Sequence, residues 1–240
     1  MDKKRNGVNI EKTNKMKILS LNLNRNENWK CIMEESQANI CSFQESKLLL
    51  YGRTWFNTIN IINGEIEKNK LLKFEELWKS YFPWQEFPEN YFAENEIIFE
   101  NKKFMLINVH IAGFGSGLRQ LLMFVLLERL KLLGDFNAKS INGTGTKKER
   151  IGSLYLDEIV NLGFEEIIND EEKKTGAFVD TYRDKENIGH RYDHVYIRYK
   201  DKDPLFKIDV KYFPEGNKKW FSDHRGIIVN IYFKDKKEGK

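Results

Sequence analysis

Cysteine and proline are scarce in this 240-residue chain, which has two of the first and four of the second. Two cysteines, Cys31 and Cys41, cannot build a disulfide framework, and no zinc-ligand spacing surrounds them. Both are expected to be reduced side chains packed among apolar neighbours. Long apolar runs are missing too. The longest, Leu121 to Leu127, has seven residues, against about 20 for a bilayer span. The basic N-terminus lacks the apolar stretch of a secretory signal. A soluble, cytoplasmic protein with no transmembrane segment is the expectation. Internal repeats and low-complexity segments are absent, and 40% hydrophobic with 32% charged residues is a globular balance, which excludes collagen-like, coiled-coil and disordered chains.

Positive charge is in excess, at a net +4 with a pI near 8.8, and this invites a nucleic-acid reading. Its placement weakens that inference. Residues 1–17 carry six cations against Asp2 and Glu11, and residues 234–240 carry four lysines against Asp235 and Glu238. The segment 18–233 is therefore left at −2. The basic pI belongs to the tails. The chain divides into a loose arm (1–15), a single domain (16–233) and a charged tail (234–240).

Lys17 to Asn24 alternates apolar and polar residues, the period of a strand. Trp29, Ile32, Met33 and Ser36 follow at helical spacing, then an apolar strand over Ile40 to Phe43. Helices are predicted over Leu71–Phe82, Leu118–Leu130 and Lys148–Leu162, the last closed by Gly163 as C-cap. Glu96–Phe99 and Phe104–Val109 read as a hairpin around Asn101-Lys102-Lys103. Ala177–Tyr182, Tyr192–Tyr199, Phe206–Phe213 and Gly226–Phe233 read as strands. Strands in runs, rather than strict alternation with helices, indicate mixed sheets rather than a barrel.

The informative residues are polar groups at the ends of these apolar strands: Asn22, Gln44-Glu45, His110, Asp135-Phe136-Asn137, Arg191-Tyr192-Asp193 and Ser222-Asp223-His224. Singly, each reads as a turn former or solvated cap. Together they hold oxygen ligands for a hard divalent cation and histidines able to move protons, the inventory for phosphoester hydrolysis.

In order and wording these segments resemble the endonuclease/exonuclease/phosphatase superfamily. The anchors are Leu21-Asn22-Leu23-Asn24, Phe43-Gln44-Glu45-Ser46, Asn108-Val109-His110, Leu133-Gly134-Asp135-Phe136-Asn137-Ala138, Arg191-Tyr192-Asp193-His194-Val195 and Ser222-Asp223-His224-Arg225. The resemblance runs from Met16 to Ile231 and implies an α/β fold, a four-layer α/β/β/α sandwich with two facing mixed β-sheets (DNase I-like). It implies Mg2+, with Mn2+ as a substitute, held by Glu45 with Asn22 and Asp223. It places His224 at the scissile phosphate, oriented by Asp193, which also fixes its tautomer. Asp135 would align or deprotonate the attacking water, Asn137 would hold the phosphate, and His110 would bind it and assist the leaving oxygen. Asp135 and His224 both stand as the general base.

The chain departs from the family pattern at four places. The segment between His110 and Asp135 is short, the region from Lys47 to Asn95 lacks the glycine-containing strand that often follows the Gln-Glu motif, Gly226 stands where proline commonly follows Ser-Asp-His-Arg, and the Trp-Trp-x-Tyr-Arg run of the repair endonucleases is absent. Basic residues beside the motifs, Arg25, Arg191 and Arg225 among them, are candidates for a cationic rim that binds substrate. The expected activity is metal-dependent phosphodiester hydrolysis by a monomeric nuclease acting on DNA or RNA. The alternatives are a phosphatase or lipid-headgroup phosphodiesterase with the same site, and a non-catalytic nucleic-acid-binding module.

Overall fold

Side-chain alternation along one strand, Lys15–Asn22, shows how the layers are built. Met16 and Ile18 are buried with Ile40, Val210, Ile227, Val229 and Ile231 against Ile97, Phe99, Leu106 and Val195 of a second sheet. Leu19, Leu21 and Leu23 belong to a separate cluster with Cys41, Phe43, Ile59 and Ile32. Successive residues of a strand point to opposite faces, so this strand is covered on both sides. Burying each such Leu or Ile contributes roughly 1.5–3 kcal/mol.

The computed structural model describes residues 8–9, 15–46, 57–66, 79–80, 83, 92–99, 102–110, 131–135, 156–157, 159–161, 163–168, 170–177, 179–198, 206–216 and 218–233. Along the chain run β1 (Val8–Asn9), β2 (Lys15–Asn22), α1 (Trp29–Ser36), β3 (Ile40–Ser46), β4 (Asn57–Ile62), β5 (Glu65–Ile66), β6 (Phe92–Phe99), β7 (Lys102–His110), β8 (Lys131–Asp135) and β9 (Phe164–Glu166). They are followed by α2 (Asp170–Thr175), β10 (Tyr182–Arg183), β11 (Gly189–His190), β12 (Asp193–Arg198), β13 (Phe206–Phe213) and β14 (Gly226–Phe233).

One six-stranded sheet has the order β13-β14-β2-β3-β4-β5, the other β1-β6-β7-β8-β12-β9, and β10-β11 form a small ribbon. Both large sheets are mixed: β2 and β3 run parallel in the first, β7 and β8 in the second. Their facing sides enclose the core, and α1 lies outside the first sheet, with Ile32 buried against Leu19, Leu21 and Phe43. This is the α/β sandwich with two facing mixed sheets that the family resemblance implies.

Several expectations change in detail. Within the stretch read as a loose arm, Val8 and Asn9 pair in parallel with Ile97 and Ile98. The strand predicted over Ala177–Tyr182 shortens to β10, Tyr182–Arg183. Gly176, just before it, has a positive φ of 67°, and Ala177 and Val179 give their N–H groups to Thr175 Oγ1 and the Glu172 carboxylate, so these donors are taken by side chains rather than a ladder. The β4–β5 hairpin turns on Asn63-Gly64, with φ of 51° and 86°, the Asn-Gly signature of a tight hairpin turn. Of the two cysteines, Cys41 is packed as expected and burial pushes its thiol up to about 12, whereas Cys31 is exposed on α1. Gly163, at φ 86°, gives its N–H to Val160 and ends the helical residues 159–161 as predicted. The helix predicted over Leu118–Leu130 and most of that over Leu71–Phe82 lie outside the described residues.

Candidate active site

The layer between the sheets changes character along its length. On β2 the inward positions run Met16, Ile18, Ser20, Asn22; on β3 they run Ile40, Ser42, Gln44; β7 ends Leu106, Asn108, His110. All are buried, so one end of the core is polar. Gln44 Nε2 donates to Ser20 Oγ at 3.1 Å and to Asn108 Oδ1 of the opposite sheet. Asn108 Nδ2 in turn donates to the carbonyls of Phe43 and Ile59, each at 3.1 Å. Ser42 Oγ donates to Asn60 Oδ1 at 2.8 Å, and Asn60 Nδ2 to Asn95 Oδ1 at 2.7 Å. Each bond stabilises by about 0.5–1.5 kcal/mol, and losing one partner leaves the other buried and unpaired. These amides clamp the sheets together directly beneath the strand ends that carry the motif residues.

Glu45 stands on this clamp. Between Phe43 and Ser46 the pairing of β3 with β4 slips, a β-bulge, and Glu45 takes a φ of 49°. A non-glycine residue in that region is uncommon, and bulges of this kind re-aim a side chain. Asn22 Nδ2 donates to Glu45 Oε1 at 3.2 Å, and His110 Nε2 lies 3.2 Å from the same oxygen. Burial pushes the Glu45 carboxyl up, but His110, Asn22 and the charge of His224 together hold it below its ordinary value. It is thus an anion at neutral pH.

The second half of the site is His224 and Asp193. His224 Nδ1 lies 2.9 Å from Asp193 Oδ2, and both residues are buried. A carboxylate only accepts, so Nδ1 carries the proton and Nε2 is left as the acceptor nitrogen. Thr181 fixes the geometry. Its Oγ1 accepts the N–H groups of Tyr192 and Asp193, each at 3.0 Å, and its carbonyl accepts the N–H of Arg225 at 2.7 Å. Ser222 Oγ donates to the Asn22 carbonyl at 2.7 Å, tying the Ser-Asp-His loop to the end of β2. Tyr182 bridges to His224 and sets its ring 4.9 Å from the imidazole. Sequence reasoning misses Thr181 and Tyr182 as site residues; the one signal for them is that Asp180-Thr181-Tyr182-Arg183 faintly resembles the Asp-Thr-Phe-Arg of the repair endonucleases.

Strand register completes the arrangement. His110 pairs with Asp135, and Asp135 with Asp193, so three candidate residues stand side by side on β7, β8 and β12. Asn22 pairs with Gln44 on the facing sheet. Asn137 lies outside the described residues. The structure therefore brings Asn22, Glu45, His110, Asp135, Asp193, Asp223 and His224 to one end of the sandwich.

The three arginines fare differently. Arg25 is exposed beside Glu45, its N–H on the Glu45 carbonyl at 3.1 Å. Arg191 is buried, with Nη2 2.8 Å from Glu166, Nη1 on Glu172, and Nη1 2.7 Å from the Tyr212 hydroxyl. Its guanidinium is committed to a structural ion-pair network rather than to a substrate rim. Arg225 is half-buried, bonded to the carbonyls of Pro214 at 3.1 Å and Gly216 at 3.4 Å.

The donor set fits a hard cation. Both contacts named for the Glu45 carboxylate fall on Oε1. Asp223 Oδ1 is buried without a hydrogen-bond partner, the state of an oxygen awaiting a ligand. In Asn22 the amide oxygen accepts the Asn24 N–H at 2.8 Å while the nitrogen faces Glu45, so Asn22 orients Glu45 in this arrangement. Among the described residues no three His, Cys, Asp or Glu side chains form a closed metal cluster. Mg2+ needs only one or two carboxylates and keeps its remaining waters.

No protein-family model and no curated protein sequence matches the chain. Solved structures do. The chain is similar to the endonuclease domain of TRAS1, a telomere-specific non-LTR retrotransposon, with TM-score 0.62 and 15% identity over 92% of this chain and 99% of that one. It is similar to the 3'-5' exonuclease NExo of Neisseria meningitidis, with TM-score 0.60 and 17% identity over 91% of this chain and 99% of that one. Truncated TDP2 of Caenorhabditis elegans superposes with TM-score 0.55 and 13% identity over 91% of this chain and 97% of that one. The protein has the DNase I-like fold of the endonuclease/exonuclease/phosphatase structures.

Proposed function

We propose that this chain belongs to the endonuclease/exonuclease/phosphatase superfamily and hydrolyses phosphodiester bonds in nucleic acid with a divalent cation, Mg2+ or Mn2+. The observation that carries the reading is the buried Asp193–His224 pair at 2.9 Å, close enough to Glu45 for its charge to act on that carboxylate. Two of the similar structures are, by their names, an endonuclease domain and an exonuclease, which supports nucleic acid as the substrate.

Glu45 and Asp223 would hold the cation, with Asn22 steadying Glu45. When bound, it offsets the charge of the phosphodiester and polarises its oxygen. His110, beside Glu45, would bind a phosphate oxygen. With Asp193 holding His224 in the Nδ1–H tautomer, Nε2 would face the phosphate and hold or move a proton there. Asp135 stands in register between His110 and Asp193, where a carboxylate can align the water for in-line attack. Asn137 follows two residues later as a phosphate contact.

The test is a substrate panel with Mg2+ and with chelator: plasmid DNA, single-stranded DNA, RNA, inositol phosphates and sphingomyelin. Nucleic acid should be cut only with the metal. His224→Ala and Glu45→Gln should each lower kcat/KM by about 10³-fold, with thermal melts close to wild type. Activity that survives both chelation and His224→Ala refutes the site. Phosphomonoester release with intact plasmid assigns a phosphatase instead.

A further inference from the structure

Beside the Ser222-Asp223-His224 loop opens a cavity of about 490 Å³, whose lining includes Arg183, Lys218, Lys219, Trp220, Asp223 and Arg225. That volume is within the range of small-ligand sites. Four cations face one carboxylate, Asp223. Lys219 is exposed and has no hydrogen bond or ion pair among the described residues. The carboxylate facing Lys218 is Glu35 at 3.9 Å, with both side chains largely in solvent, so the pair contributes little. The Arg183 guanidinium stacks over the Trp220 ring at 4.7 Å from its centroid. Arg225 forms the base of the cavity, fixed on the carbonyls of Pro214 and Gly216. Arg183 and Arg225 line the same cavity, so two guanidinium groups share one anion-sized space.

We propose that this cavity is a second anion subsite that takes a non-scissile phosphate of the same polynucleotide strand, with its neighbouring base against the Arg183–Trp220 platform. The position follows from the chain. Asp223 lines the cavity and its neighbour His224 belongs to the catalytic pair, while the Arg183 N–H bonds the Asp223 carbonyl at 3.0 Å. A strand with a phosphate at His224 would therefore run past this cavity. A lone inorganic anion would satisfy the lysines and leave the aromatic wall unused. Base on aromatic ring and phosphate on cation is the combination that single strands present. The inference rests on the nuclease reading and adds that the enzyme prefers an extended strand over a dinucleotide.

The probe is fluorescein-labelled dT12, bound in EDTA at 50 and 200 mM NaCl and followed by anisotropy. Lys219→Glu and Trp220→Ala should each weaken binding by about ten-fold, and Lys219→Glu should flatten the salt dependence by about one ion. With metal, the ratio of kcat/KM for dT12 over dT2 should fall about ten-fold in both variants. The proposal is overturned if the variants bind within two-fold of wild type, if wild type does not bind dT12, or if both substrates lose turnover in equal proportion. Binding losses in a protein that hydrolyses neither substrate would uphold the subsite and remove the nuclease reading. Cleavage of dT12 with unaltered variants would do the reverse. Lys219 is exposed, so its variant keeps the test open if Trp220→Ala fails to fold.

Discussion

At the scale of single residues, the site depends on side chains that never touch a substrate. Thr181 is fully buried and accepts two backbone N–H groups, one of them from Asp193 itself. Thr181→Val keeps the shape and removes the acceptor, leaving those donors buried without a partner at a cost of about 1–3 kcal/mol. We expect kcat to fall about ten-fold as the Asp193–His224 geometry loosens, with KM little changed. Thr181→Ser should restore both stability and kcat. A Thr181→Val enzyme with wild-type kcat and a lowered melting temperature would show a purely structural hydroxyl. Glu45 shows the same dependence through its backbone. Its φ of 49° and the bulge around it aim a carboxylate that a regular strand would point elsewhere.

At the scale of elements, Arg191 joins β9, α2, β12 and β13. Its guanidinium bonds Glu166 of β9, Glu172 of α2 and the Tyr212 hydroxyl of β13, and Glu166 also bonds His194 of β12 at 2.8 Å. Removing one partner from a buried ion-pair network leaves uncompensated charge at about 3–5 kcal/mol. Arg191→Met should cost that much in chemical denaturation, and any loss of activity should follow the unfolded fraction. A fully folded Arg191→Met enzyme with raised KM would return Arg191 to the substrate. The position of Arg191, two residues before Asp193, looks the same in sequence for either role. The ion pairs that decide it come from residues 19 to 25 positions away.

At the scale of the whole molecule, the same network sets an acid limit. Burial pushes Glu166 up, but His194 and Arg191 outweigh it and bring the carboxyl down to about 2. A depressed acid contributes stability that is complete above its unfolded value near 4.3 and is lost as pH falls towards the folded value. Unfolding free energy should therefore drop between about pH 4.5 and 2, by about 2 kcal/mol from this group. Glu166→Gln should flatten that part of the curve and be less stable at pH 7. An unchanged slope in the variant would place the acid sensitivity elsewhere. What the sequence determined by itself was the strand pattern, the mixed character of the sheets and the order of the motif residues; the layered sandwich was implied by the family resemblance those motifs carry. Alternating periods and polar residues at strand ends are local properties, and β2, α1, β3, β13 and β14 follow them closely. The tertiary structure alone decided which residues support and aim the site. The bulge at Glu45, the Gln44–Asn108 clamp, Thr181 under Asp193 and the burial of Arg191 all arise from contacts between distant segments. No local period encodes such contacts, because their energy comes from the partner that folding brings near.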